Sequence, residues 1–238
     1  MARKLAGWPL LKLYYSAFFA AHAITRSQGS GVVKLEKRQT AHLNSILSLI
    51  APEASGISPG MFVYKTMQST ETGRLSVIME PARTDGGVHE SFWKHFCEFL
   101  VNAADSASAR DAANATDFVA GSYELSEAIR DGVGGSGTWL STMRNEINYQ
   151  HKHGVWFPLS KDGKALKTLR KNELTESRSF RMDVSKKSNP VAAFANTSRY
   201  LACLNSELSD VVAKRSMSGK SFGQKWRRLS HQVELAKS

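Results

Sequence analysis

The sequence predicts a mainly α-helical fold, a helical bundle carrying a small β-hairpin insertion, and three features point to it. Apolar residues recur at steps of three and four through Leu10, Leu13, Tyr14, Ala17, Phe18, Ala21 and Ile24, and again through Phe92, Phe96, Phe99 and Leu100. That is the spacing of helices that bury one face. Two runs rich in β-branched and aromatic residues, MFVYKTMQ and RLSVIMEP, flank a turn containing Gly73. With 238 residues and 42% hydrophobic content the chain is long enough to bury a core, and it shows no internal repeat and no low-complexity tract.

The first helix is expected from Pro9 to Arg26, ended by Gly29 and Gly31. Residues 34–50 allow a second short helix, and PEASGISPG follows as a loop by its Pro, Ser and Gly content. The hairpin comes next, then a helix through HESFWKHFCEFLVNAAD. Residues 105–136 are small and polar, with helical patches and the flexible run DGVGGSG. A further helix should begin at Ser136 or Thr138 and pass through Trp139, Leu140, Met143, Ile147 and Gln150, stopped by Gly154 and Pro158. The Lys- and Arg-rich stretch 161–188 reads as loop with short structure. Asn189-Pro190 then opens a long amphipathic helix to about Lys214, since proline suits the first helical position. The expected organisation is one domain over 1–214 with an insertion at about 32–87, followed by a basic tail over 215–238.

The first 24 residues imitate a secretory signal with a basic start, an apolar run and A-H-A, but Lys12 interrupts the run and the stretch reads as a buried helix. No other stretch approaches the roughly 18 uninterrupted apolar residues of a membrane span, so no membrane partner is expected. Cys97 and Cys203 sit in apolar stretches without Cys or His at metal-ligand spacing and read as buried core thiols. They could in principle pair, but a secreted disulfide framework normally shows more cysteines, which favours a reducing, cytoplasmic location.

The formal net charge of +11 favours a polyanionic partner. It is unevenly placed: residues 161–238 hold 17 Lys and Arg against 7 Asp and Glu, a balance of +10. Within the tail, GKSFGQKWRRLS interleaves Lys220, Lys225, Arg227 and Arg228 with Phe222 and Trp226. Such a mixture can hold the backbone and stack the bases of single-stranded RNA, although Trp226 could equally cover the protein's own core.

RNEINYQH, residues 144–151, concentrates a guanidinium, amides, a phenol and an imidazole. On a continuous helix Arg144 and His151 would lie on nearly one face, about 10 Å apart along the axis, while His153 would point away. An imidazole moves protons near neutral pH and a guanidinium grips phosphate oxygens, which suits RNA cleavage without metal or cofactor. Asn145 and Asn148 could bind substrate or position the arginine, and Tyr149 could contact phosphate or cap the core. A solvated helix face accounts for the same residues as readily. One helix supplies one imidazole, whereas cleavage needs a base and an acid, so a symmetric dimer is expected.

Four blocks of the chain resemble the HEPN superfamily in its order, from residue 11 to about 210, with 32–87 and 155–188 unmatched. LYYSAFFAAHAITRSQG looks like its first helix, GVHESFWKHFCEFL like its next element, and NPVAAFANTSRYLACLNSEL like its last long helix. MRNEINYQH is similar to the family's Arg-polar-x4-6-His signature, with Arg144, Asn145 and His151 in the three places. The resemblance implies a helical, usually dimeric fold and a metal-independent endoribonuclease of toxin or antiviral defence systems, with an antitoxin or sensor as a further partner. The alternative it carries is a catalytically inactive module that binds RNA or a protein.

Other signals are weaker. SGKSFG at 218–223 lacks the leading glycine of a phosphate loop, because Lys214 stands there. GVGGSG at 132–137 reads as a hinge, His22 and His89 as core or surface histidines, and Ser16 and Ser91 show no nucleophile elbow.

Overall fold

The computed structural model describes residues 6–69, 71–82, 87–110, 115–131, 135–156, 186–215 and Gln224. In chain order these form α1 (Gly7–Ser27), β1 (Ser30–Leu35), α2 (Lys37–Ile50), β2 (Gly60–Gln68) and β3 (Leu75–Pro81). They continue with α3 (Val88–Ala109), α4 (Ala115–Ile129), α5 (Trp139–Asn148) and α6 (Pro190–Arg215). The described residues are therefore mainly helical, as their hydrophobic periodicity predicts, with one small antiparallel sheet among them.

The core is aromatic. Helix α1 packs along α6, α3 packs along α4, and the short α5 lies against α1. Tyr14, Phe92, Trp93, Phe96 and Phe194 are fully buried where these helices meet. The Tyr14 ring stacks between Phe18 and Phe194 at 6.1 Å from each. Burying each such side chain contributes about 1.5–3 kcal/mol, so these five rings outweigh any surface contact in holding the bundle. Asn189 caps α6 by accepting a hydrogen bond from the Ala192 amide at 3.1 Å, ahead of Pro190 at the first helical position.

The sheet departs from the expected two-stranded hairpin. It has three strands in the order β1-β2-β3, with Val32 opposite Val63 and Val63 opposite Glu80. The expected helix over 34–50 accordingly starts only at Lys37, because Lys34 and Leu35 belong to β1. Strand β1 is buried between β2 and the helices, and Ser30 fastens it to both sides. Its hydroxyl donates to the Tyr64 carbonyl at 3.2 Å, so it must accept from His95 Nε2 on α3 at 3.1 Å.

Helix α2 buries only Thr40 and leaves Ile46, Leu49 and Ile50 exposed. Residues 115–129, expected as helical patches, form the continuous α4, which buries Ser122, Leu125, Ser126, Ala128 and Ile129. Cys97 is buried as expected, but Cys203 is only half-buried, and both are free thiols. No helix among the described residues is long and apolar enough to cross a membrane.

Candidate functional site

Helix α5 buries Leu140, Met143 and Ile147 on one face, the three-and-four spacing of an amphipathic helix. Arg144, one position past Met143, therefore lies half-buried at the margin beside α1. Its Nη2 donates to the Tyr15 hydroxyl at 2.6 Å and its Nη1 to Asn145 Oδ1 at 2.8 Å. The guanidinium also lies 5.7 Å from the Tyr15 ring centre and 4.9 Å from that of Tyr149. Burial works against its charge, but hydrogen bonding and attraction to the two tyrosine phenols more than offset this and raise its pKa. The buried Nε has no hydrogen-bond partner.

The helix stops earlier than its sequence predicts. It ends at Asn148, so the one-face relation between Arg144 and His151 does not hold. His151 instead adopts a left-handed backbone at φ 50, and His153 repeats it at φ 66. Left-handed non-glycine residues store strain that surrounding contacts must offset. Here Glu146 does so, accepting from Lys152 Nζ at 2.9 Å and pairing with His153 Nε2 at 2.8 Å. Burial pushes the Glu146 carboxyl up, but these two partners pull it below the usual carboxylate value.

The far end of the turn is fixed to the bundle. Trp156 donates from Nε1 to the Ile147 carbonyl at 2.6 Å, and the Ala6 amide reaches the Val155 carbonyl at 3.1 Å. Gly7 admits the indole, since a Cβ there would lie 2.4 Å from Trp156 Cε2. His151 is exposed on this turn, its ring 6.1 Å from that of Trp156.

The structure thus brings Arg144, Asn145 and Tyr149 together and sets His151 on the turn that follows. Asn148 is the last residue of α5 and half-buried. Tyr149 does not cap the core: it is 66% exposed and covers the guanidinium. Lys220, Lys225, Trp226, Arg227 and Arg228 lie outside the described residues, as do positions 132–134 of GVGGSG.

Three residues that the sequence reading did not assign to this site complete the cluster: Tyr14, Tyr15 and His89. Buried Tyr14 accepts from Trp93 Nε1 at 3.1 Å and lies 2.9 Å from His89 Nδ1. The Trp93 nitrogen only donates, so the phenol proton goes to His89 Nδ1 and the ring proton of His89 sits on Nε2. Burial first, and then the nearby Arg144 charge, hold the His89 pKa below the ordinary histidine value. His89 is therefore a neutral donor beside a fixed cation, and neither a core nor a plain surface histidine. The Tyr-Tyr pair in LYYSAFF was visible, but the division of labour between its two phenols was not.

Two further histidines lie deeper on α1 and α3. His22 stacks on Phe92 at 3.6 Å with its Nδ1 buried and unpartnered, and burial pushes its pKa down to about 4. His95, bonded to Ser30, is likewise pushed down to about 4 by burial. No group of three or more His, Cys, Asp or Glu among the described residues is arranged to hold a metal ion. In comparisons with known proteins, no family model, curated protein or solved structure matches the chain.

Proposed function

We propose that the chain is a HEPN-type endoribonuclease that cleaves RNA by attack of a 2′-hydroxyl on the adjacent phosphorus, without a metal ion. The observation that carries this reading is the Arg144 guanidinium, held between the Tyr15 and Tyr149 rings at a surface that also exposes Asn145 and, on the adjoining turn, His151. A cation fixed in this way binds phosphate oxygens with little reorganisation. His89 adds a neutral N–H donor nearby, and exposed Tyr149 offers a face on which a base can stack.

In the reaction, an imidazole of His151 takes the 2′-hydroxyl proton as the 2′-oxygen forms its bond to phosphorus. Arg144 stabilises the charge that develops on the non-bridging oxygens. The bond from phosphorus to the 5′-oxygen breaks, and that oxygen takes a proton from a second imidazole, supplied by His151 of a second copy. The products are a 2′,3′-cyclic phosphate and a 5′-hydroxyl end. A place in toxin or antiviral defence and an antitoxin or sensor partner follow from the family resemblance, and a cytoplasmic setting from the two cysteines.

End-group analysis of RNA incubated with the full chain and a chelator tests the chemistry. Cyclic phosphate ends support it, whereas 5′-phosphate products would assign the cleavage to a different mechanism. A second reading, a catalytically silent module that binds RNA or a protein, is favoured by one observation: both Nη atoms of Arg144 already bond within the chain. Under it, RNA binds but no new ends appear.

A further inference from the structure

We propose that β3 is a self-association edge, where a second copy of this chain adds its own β3 antiparallel to form one continuous sheet. This surface stands apart from the reaction proposed above. Strand β3 ends the sheet order β1-β2-β3, and among the described residues no strand pairs with its outer side. Leu75 is 68% exposed, Val77 57% and Ile78 46%. Exposed edges of this kind are normally blunted or covered.

The backbone hydrogen bonds fix which groups face outward. The Ala82 amide donates to the Met61 carbonyl at 2.8 Å, and the Ser69 amide donates to the Arg74 carbonyl at 2.9 Å. Both pairs belong to the register that sets Phe62 opposite Pro81 and Gln68 opposite Leu75. In an antiparallel ladder, bonded and non-bonded pairs alternate. Arg74, Ser76, Ile78, Glu80 and Ala82 therefore bond toward β2, while Leu75, Val77 and Met79 present their amides and carbonyls outward. Pro81, the next outward position, has no amide to give.

An antiparallel pairing of β3 with its copy uses all three outward residues only when centred on Val77. Val77 then faces Val77 of the partner subunit, and Leu75 faces Met79 of the partner subunit. The same register sets Arg74 against Glu80 of the partner subunit, twice by symmetry, in a non-bonded pair where side chains approach most closely. Shifting the register by one step in either direction abolishes this charge match. An edge that is apolar in the middle and oppositely charged at its two ends is complementary to itself, which is what a two-fold interface requires.

Charge reversal across that interface tests the register without touching the β2 ladder. Sedimentation velocity of the full chain over about 1–100 µM should show concentration-dependent self-association through β3, separate from any pairing of the His151 turns that the proposed reaction needs. Arg74→Glu and Glu80→Arg should each weaken the β3 association about tenfold, since each sets like charges opposite one another at both ends. The double variant Arg74→Glu/Glu80→Arg should restore the dimer. A wild type that stays monomeric overturns the proposal and leaves the edge to a foreign strand. A dimer indifferent to the single reversals, or one that the double reversal fails to rescue, overturns it as well. RNA cleavage is read separately on the same samples, so loss of this interface is distinguishable from failure of the proposed reaction.

Discussion

Acidification should unfold this protein through two named histidines. The imidazoles of His22 and His95 are held neutral in the folded state, with their pKa values pushed down to about 4 from an ordinary value of 6.5. For His22, burial acts first, then the positive charge of Arg26 and the neighbouring His89 and His95. For His95, burial acts first, then Lys65. The folded-state values lie below the unfolded ones, so the unfolded chain binds more protons between about pH 6.5 and pH 4. Stability is therefore complete above pH ~6.5 and is lost as the pH falls toward 4. By about pH 4.5 each site costs about 2–3 kcal/mol, or about 5 kcal/mol together, comparable with the whole stability of a marginal domain. Urea denaturation at a series of pH values measures this as a fall in the midpoint. In His22→Phe/His95→Gln, phenyl replaces a ring whose Nδ1 has no partner, and the amide keeps a donor for Ser30. That variant should lose most of the pH slope. An unchanged slope between about pH 6.5 and pH 4.5 would refute the reasoning.

Other consequences are equally specific. Tyr14→Phe removes the acceptor of the buried Trp93 N–H and the partner of His89, and should cost about 1–3 kcal/mol in equilibrium unfolding. Gly137→Ala places a Cβ 3.0 Å from Cys97 Sγ on a backbone at φ 78, and should destabilise the fold by about 1–3 kcal/mol. Glu146→Gln weakens the clamp on Lys152 and His153; if the proposed reaction is correct, cleavage should fall about tenfold or more while the thermal midpoint changes little. Arg144→Lys keeps the charge but not the paired geometry, and should slow cleavage by about 100-fold with unchanged folding.

Helices α1, α3 and α6 were legible because each carries a long apolar stripe at helical spacing, and the hairpin was legible from its β-branched runs around Gly73. Strand β1 was hidden because SGVVKL is short and its glycine reads as a helix stop. Helix α4 was hidden because its buried face uses Ser122, Ser126 and Ala128, which a hydrophobic pattern undercounts. The end of α5 was misplaced for a different reason. Its exit runs through His151 and His153 in left-handed conformations that usually signal glycine or asparagine. At the candidate site, Arg144 and Asn145 were legible as functional polarity on a helix. Tyr15, 129 residues from Arg144, and His89, 75 from Tyr14, join them only through tertiary packing, which local spacing does not encode.

The most direct measurement is cleavage of labelled transfer RNA and messenger RNA, with chelator present, by the wild type and His151→Ala at matched concentration and confirmed folding. Cutting by the wild type and none by the variant is the predicted result. Equal cutting by both, or none by either while both bind RNA alike, would contradict the assignment of RNA cleavage to the turn that carries His151.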